Sequence, residues 1–305
     1  MGVHVLESKG IRWHHVSGVV EKDLEALQAQ FKFHHLDYDD IRNASPISKM
    51  DAYKHYVFFL FHIPMMNETS GRIYGEPVYV FLSKDDVVTV TYARVAELDF
   101  FFKRLSTNAK SRAAVLGKGT SFAVYRIISH LFNDALGIVS LLTQEVHRLE
   151  ETIERRHDKR LTVELGHARR NVLFLRHLVD PQRNMLLSLR HTPRPFIPEE
   201  VYVYFDDLHD TLDTLWLSSD NLQLLLDGLF DVNEALISHK TNQVITLLTV
   251  LSAALMVPAL IAGFYGMNAT WLPYVENATI VSLLLGVGFL GMLVLVATIV
   301  YRKRL

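Results

Sequence analysis

The chain of 305 residues has no cysteine, which excludes disulfides, thiolate nucleophiles and zinc sites built on sulfur. It has no excess of basic charge either. The formal net charge is -2, and a nucleic-acid partner would need a basic face to neutralise phosphates. The opening "MGVHVLESKGIRWHHV" lacks the uninterrupted apolar core of a secretory signal, so the charged part is expected in the cytoplasm. Gly2 does not complete a myristoylation motif, because the sixth position is Leu6 rather than Ser or Thr. Nucleotide motifs are missing in substance: "GKGT" at 117–120 lacks the earlier glycine of a phosphate loop, where Arg112 stands. Gly286, Gly288 and Gly291 match the dinucleotide spacing but lie in an apolar run, where small residues serve close helix packing or simply face lipid. The expectation is no enzyme activity, no organic cofactor and no nucleic acid.

Charge is also scarce in one place. Between Lys240 and Arg302 the only ionisable carboxylate or cation is Glu276. Two apolar runs fill this region, residues 243–265 and 278–300, and roughly 20 apolar residues suffice for a helix to cross the hydrocarbon core. Lys240 precedes the first run and Arg302, Lys303 and Arg304 follow the second, whereas the linker "GMNATWLPYVEN" has no Lys or Arg. Cytoplasmic flanks carry the basic excess, so the chain is expected in the cytoplasmic membrane with both termini in the cytoplasm and with Trp271 and Tyr274 at the outer interface.

The charged remainder reads in two parts. Over 1–110, "GIRWHHV", "YKHYVFFLFHIPM", "EPVYVFLS" and "DVVTVTYA" predict strands and "EKDLEALQAQF" an amphipathic helix, giving a small α/β domain. Over 111–197 the pattern turns to long helices, closed by the prolines of "HTPRPFIP". A further helix starts at Pro198-Glu199-Glu200, with proline and acids where the helix dipole favours them. Positions 201, 205, 208, 212, 215, 219, 222, 226, 229, 233, 236 and 240 then follow a heptad spacing, and all are apolar except Ser219, Asn233 and Lys240. Such a seam packs against another helix or against copies of itself. The stalk 198–242 continues into the first span, and a helix from 198 to 265 would reach roughly 100 Å. The fold class is therefore an α+β cytoplasmic domain with a long stalk helix and two C-terminal transmembrane helices. Its parts are 243–265 and 278–301 as spans, 266–277 as an external loop and 302–305 as a basic tail.

The heptad spacing persists inside the first span. Asn242, Thr249, Met256 and Gly263 are seven apart and are smaller, softer or more polar than their neighbours. Two readings fit: a helix–helix contact face, or the wall of a pore where several copies meet.

"YGMN" at 265–268, ending the first of two C-terminal spans and followed by a basic tail, resembles the CorA family of magnesium and cobalt transport proteins. "FLSKDDVVTVTY", "LEETI", "DPQRNMLLSL", "KTNQV" and "IAGFYGMN" carry the likeness along the chain. The resemblance implies a funnel-shaped homopentamer whose first membrane helix lines a pore. It implies Gly266, Met267 and Asn268 as the selectivity filter, Asn242 at the inner mouth, Leu248 and Met256 as hydrophobic constrictions and Gly263 higher up. Leu248 and Thr249 are neighbours on the helix, so either is open as the pore-facing residue. The resemblance also implies regulatory Mg²⁺ between the stalk of one subunit and the α/β domain of the next, with Asp207 and Asp99 as the matching carboxylates.

Departures from the family pattern are Pro258, one place late, and Tyr274 after Pro273, where an acid is usual. Glu276 is the loop acid for ion capture here. Lys240, Arg302, Lys303 and Arg304 form a basic ring that meets anionic lipid or impedes cations. Hydrated Mg²⁺ keeps its octahedral water shell, which neutral Asn268 side chains can hydrogen-bond without stripping, and weak binding permits release. The alternatives are a zinc–proton carrier of the ZntB type, in which the middle residue of the tripeptide usually differs from Met267, and a membrane-anchored helical scaffold or receptor.

Overall fold

The computed structural model describes residues 3–153, 159–189, 196–267 and 277–302. Two compact units divide the chain, Met1–Asp231 and Val232–Leu305. The boundaries expected at 110 and 197 do not separate compact units, because the long helices pack onto the sheet.

The first unit is built on strands β1 (His4–Ser8), β2 (Ile11–Ser17), β3 (Lys49–Ala52), β4 (Tyr56–Met66), β5 (Ile73–Ser83) and β6 (Asp86–Thr91). They form one sheet in the order β1-β2-β6-β5-β4-β3. Only β2 and β6 pair in parallel; the other neighbours are antiparallel. The four expected strands are present, and β1 and β3 are additions at the two edges. Edge strands need little apolar surface, and in β1 Leu6 alone is buried, so neither carried an alternating signal.

Helices cover both faces. Helices α1 (Glu21–Gln30) and α2 (His35–Arg42) place Leu24, Leu27, Tyr38 and Ile41 in one core with Phe58, Leu60, Tyr79 and Phe81. On the alternate side of β4, Phe61 meets Phe132 edge-on at 6.0 Å and Phe59 stacks near Phe205 at 6.4 Å. Successive strand residues point to opposite faces, so a strand covered twice must be apolar at every position. This is why "YVFFLFHIP" runs without alternation. Short helices α3 (Ala96–Thr107) and α4 (Ala109–Leu116) lead into the long antiparallel helices α5 (Thr120–Ile153) and α6 (Lys159–Leu189).

One side chain ties α6 to the sheet. β3 stops pairing with β4 at Leu60, so the N–H and carbonyl of His62, which point to that same edge of the strand, have no strand partner there. The buried Gln182 amide fills the gap: it accepts from the His62 N–H at 3.0 Å and donates to the His62 carbonyl at 2.9 Å.

A single turn of 3₁₀ helix, Glu199–Val201, opens α7 (Tyr202–Tyr265), close to the start predicted at Pro198. In the first unit its seam is buried at Val201, Phe205, Leu208, Leu212, Leu215, Ser219, Leu222 and Leu226. The seam is therefore occupied within one chain, not by copies of itself. Beside it stands an ionic ladder between antiparallel helices. Arg169, Arg176 and Arg183 on α6, seven apart, meet Asp227, Asp220 and Asp213 on α7, seven apart in the opposite sense. Trp216 lies between Arg176 and Arg183, whose guanidinium carbons are 5.0 and 4.7 Å from its ring.

The second unit contains the rest of α7 and helix α8 (Ala278–Arg302). The apolar stretch of α7 has a mean hydropathy of 2.5 over its best window and none of that window is buried. α8 spans 25 residues, about 37 Å of helix. Among the described residues the apolar stretch of α7 is long enough to cross a membrane, and α8 carries a shorter one, Thr279–Val294.

Candidate functional site

Within the second unit, partial burial along α7 picks out Thr246, Val250, Ala254, Pro258, Ile261 and Tyr265. The spacing of four and three residues makes one helix face, and α8 is the other described element in this unit. The two approach closely: a Cβ placed on Gly288 would lie 3.2 Å from Ile261 Cδ1. The Gly286–Gly288–Gly291 run thus includes a helix-packing contact rather than a nucleotide site. Asn242, Thr249, Met256 and Gly263 fall on the side of α7 turned away from this face, and all four are exposed, Met256 at 71%. Leu248 and Thr249 are both exposed, and the Thr249 hydroxyl donates to the Ile245 carbonyl at 2.8 Å. The polar stripe is thus not the surface that joins the two spans.

At the end of α7 the Gly266 N–H bonds the Ala262 carbonyl at 2.9 Å. A Cβ on Gly266 would stand 3.1 Å from that same oxygen, so glycine allows this close helix ending. Met267 is exposed. Asn268 and Glu276 lie outside the described residues, as do Trp271, Tyr274, Lys303 and Arg304. Lys240 is exposed on α7, and Arg302 ends α8.

The two carboxylates expected at a regulatory metal site lie in the first unit, each already engaged. Asp99 on α3 takes His15 Nε2 at 2.9 Å and the Ser17 hydroxyl at 3.3 Å. His15 is anchored in turn through Nδ1 to Thr89 Oγ1 at 2.9 Å, and its pKa is lowered by burial, against the raising effect of Asp99. Asp207 on α7 accepts from the Tyr125 hydroxyl at 2.8 Å. Burial, and then this carboxylate, push the Tyr125 pKa up. No contact joins Asp99 and Asp207 among the described residues. Of the acids that follow Asp207 on α7, Asp213 is paired with Arg183 while Asp210 is largely exposed.

Another acidic group was not anticipated. Carboxylate oxygens of Asp37, Asp40 and Asp51 lie within 4.8 Å of one another. Lys49 Nζ bridges two of them, at 2.6 Å from Asp40 and 2.9 Å from Asp51. The buried Asp37 accepts from the hydroxyls of Tyr53 and Tyr56 at 2.9 and 2.5 Å. Burial raises the Asp37 pKa in spite of those two donors. The sequence offered a faint cue in "LDYDD", which reads equally as a solvated helix face.

His14 and His15 separate as adjacent strand residues must: His14 Nε2 pairs with Asp86 at 2.9 Å while His15 turns to Thr89 and Asp99.

The family model for CorA-like Mg²⁺ transporter proteins matches residues 8–303. The chain belongs to this family. A cobalt/magnesium transport protein CorA of Thermotoga maritima is 25% identical over 96% of this chain and 82% of its own length. The complete CorA magnesium transporter structure from Methanocaldococcus jannaschii matches with a TM-score of 0.80 at 19% identity, covering 95% of this chain and 91% of that one. The cytoplasmic domain of ZntB from Vibrio parahaemolyticus matches with a TM-score of 0.61 at 8% identity, covering 78% of this chain and all of that domain. The last two likenesses concern the fold, so the shared CorA–ZntB architecture does not choose the ion. Among the described residues the stripe Asn242, Thr249, Met256 and Gly263 lies exposed on α7, on the side away from α8.

Proposed function

We propose that this CorA-family chain assembles as a homopentamer in the cytoplasmic membrane and passes Mg²⁺, with Co²⁺ and Ni²⁺ as secondary cargo, into the cell. The observation that carries the proposal is the stripe Asn242–Thr249–Met256–Gly263, exposed on the side of α7 away from α8. Copies meeting along it enclose a pore with α8 outside against lipid.

In this reading Gly266, Met267 and Asn268 form the outer filter, where neutral amides hold the hydrated ion loosely enough to let it go. Glu276 raises the local cation concentration at the entrance. Met256 and Leu248 close the path by dewetting, with Thr249 beside them. Lys240 and the Arg302–Lys303–Arg304 tail ring the inner mouth near anionic lipid. Both termini face the cytoplasm.

Closure is set by cytoplasmic Mg²⁺ joining Asp207 of one subunit to Asp99 of the next. A divalent ion there offsets the repulsion of carboxylates brought together, and its loss frees the subunits to move. Tyr125 and the His15–Ser17 pair hold the two carboxylates in place from behind.

The test is ion flux into liposomes containing the pure protein, comparing Mg²⁺, Co²⁺, Ni²⁺ and Zn²⁺ with and without Asn268→Ala. Mg²⁺ flux that falls with Asn268→Ala is expected, and Asp207→Asn should shift Mg²⁺ closure to higher concentration. Zn²⁺ flux coupled to protons, or flux indifferent to Asn268, overturns the reading.

A further inference from the structure

One cavity in the first unit has no part in the proposed pore or its regulation. It holds about 540 Å³ and lies between the β4–β5 turn and helices α3 and α5. Ligand pockets are commonly of this size, with mostly apolar walls and a few placed polar groups. Its floor is apolar, from Ile63, Met65, Leu131, Ala135 and Ile138.

Every charged residue lining it is an acid: Glu68 from the turn, Glu97 from α3 and Asp134 from α5. Among the described residues no lysine or arginine lines it. The acids keep acceptor capacity. Glu97 Oε2 is buried with no hydrogen-bond partner, and a buried carboxylate oxygen without a donor is costly. Asp134 faces His130 at 3.8 Å, beyond hydrogen-bonding distance. The rim is already formed, since Asn67 Oδ1 accepts from the Thr69 and Ser70 N–H groups at 3.1 and 2.9 Å.

The three acids do not form a compact metal cage: the group of carboxylates that converges within 4.8 Å is Asp37, Asp40 and Asp51, elsewhere in the fold. Three separated negative charges on an apolar floor match a ligand whose positive charges are separated by methylene segments. We infer that this cavity binds a linear aliphatic polyamine, whose ammonium groups meet Glu68, Glu97 and Asp134 while its methylenes lie along Ile63, Leu131 and Ile138. Tyr74 also lines the cavity, and an aromatic ring can attract an ammonium group. The three charged contacts are separate from the residues of the proposed pore, so the proposal does not depend on which metal ion is carried.

The test is calorimetric titration of spermidine into the purified full-length protein, at fixed Mg²⁺ and ionic strength. Saturable binding of one spermidine per chain is expected. Glu97→Gln should weaken it by about tenfold or more, as loss of a charge-assisted hydrogen bond does, and Glu68→Gln by less, because Glu68 is exposed. Ala96→Trp, at an exposed lining position, should block the cavity without touching the core. Binding that is absent, or unchanged in Glu97→Gln and Ala96→Trp, overturns the assignment. So does Mg²⁺ binding that responds to these substitutions while spermidine binding does not.

Discussion

Replacing Gln182 with methionine removes a side chain that is fully buried and serves two backbone groups of β4. Methionine fills nearly the same volume, so packing changes little. What remains is the His62 N–H and the His62 carbonyl, both without partners, since β3 has already ended on that edge of β4. Each unsatisfied buried group costs about 1–3 kcal/mol, so the pair should cost about 4 kcal/mol. For a unit of this size that corresponds to roughly 10 °C in Tm. Unfolding of the purified protein followed by near-ultraviolet circular dichroism measures it. Gln182→Glu gives an internal control. The carboxylate can accept from the His62 N–H but has no proton for the His62 carbonyl, whereas the protonated acid can do both. Relative to the unmodified protein at each pH, this variant should recover stability as the pH falls, and burial places the recovery above the ordinary carboxylate range. A cost for Gln182→Met below about 1 kcal/mol, or a Gln182→Glu variant insensitive to pH, refutes the hydrogen-bond accounting.

Two further outcomes follow from the packing. His15 and His62 both have pKa values lowered from 6.5, in each case chiefly by burial. A folded state that resists protonation loses stability once the unfolded chain begins to take protons. The stability is complete above pH 6.5 and falls as the pH drops below it, by up to about 1.4 kcal/mol per pH unit for each histidine. Denaturant titrations between pH 7.5 and about 5 should show this slope, and a flat profile would contradict the burial of both rings. Trp216→Ala should cost about 2 kcal/mol, from two guanidinium contacts of about 0.5–1 kcal/mol each together with lost packing. If it costs no more than Leu217→Ala, at an exposed neighbour, the ladder is ornamental.

The sequence made the chain's major divisions legible through period and length alone. Two uncharged runs separated by a loop without Lys or Arg, a heptad seam beginning at Val201 and the fully apolar "YVFFLFHIP" each have one economical physical reading. The same pattern placed the Asn242–Gly263 stripe on one side of a helix. It could not say which side faces α8, because helical period fixes relative angles within a helix but not its orientation towards a neighbour. Tertiary structure decided that, and it assigned the Val201–Leu226 seam to the chain's own sheet and helices rather than to other copies.

Contacts between residues far apart in the chain were beyond the reach of local pattern. Arg169, Arg176 and Arg183 share a heptad with Asp213, Asp220 and Asp227, yet equal spacing says nothing of which helices lie side by side. Likewise Asp99 meets His15 across 84 positions and Gln182 meets His62 across 120. A side chain's partner is set by how the layers stack, and stacking depends on the summed burial of whole elements rather than on the residues that happen to meet there. The sequence by itself determined which segments had to be buried or span a membrane; only the tertiary structure decided which polar groups would find one another once they were.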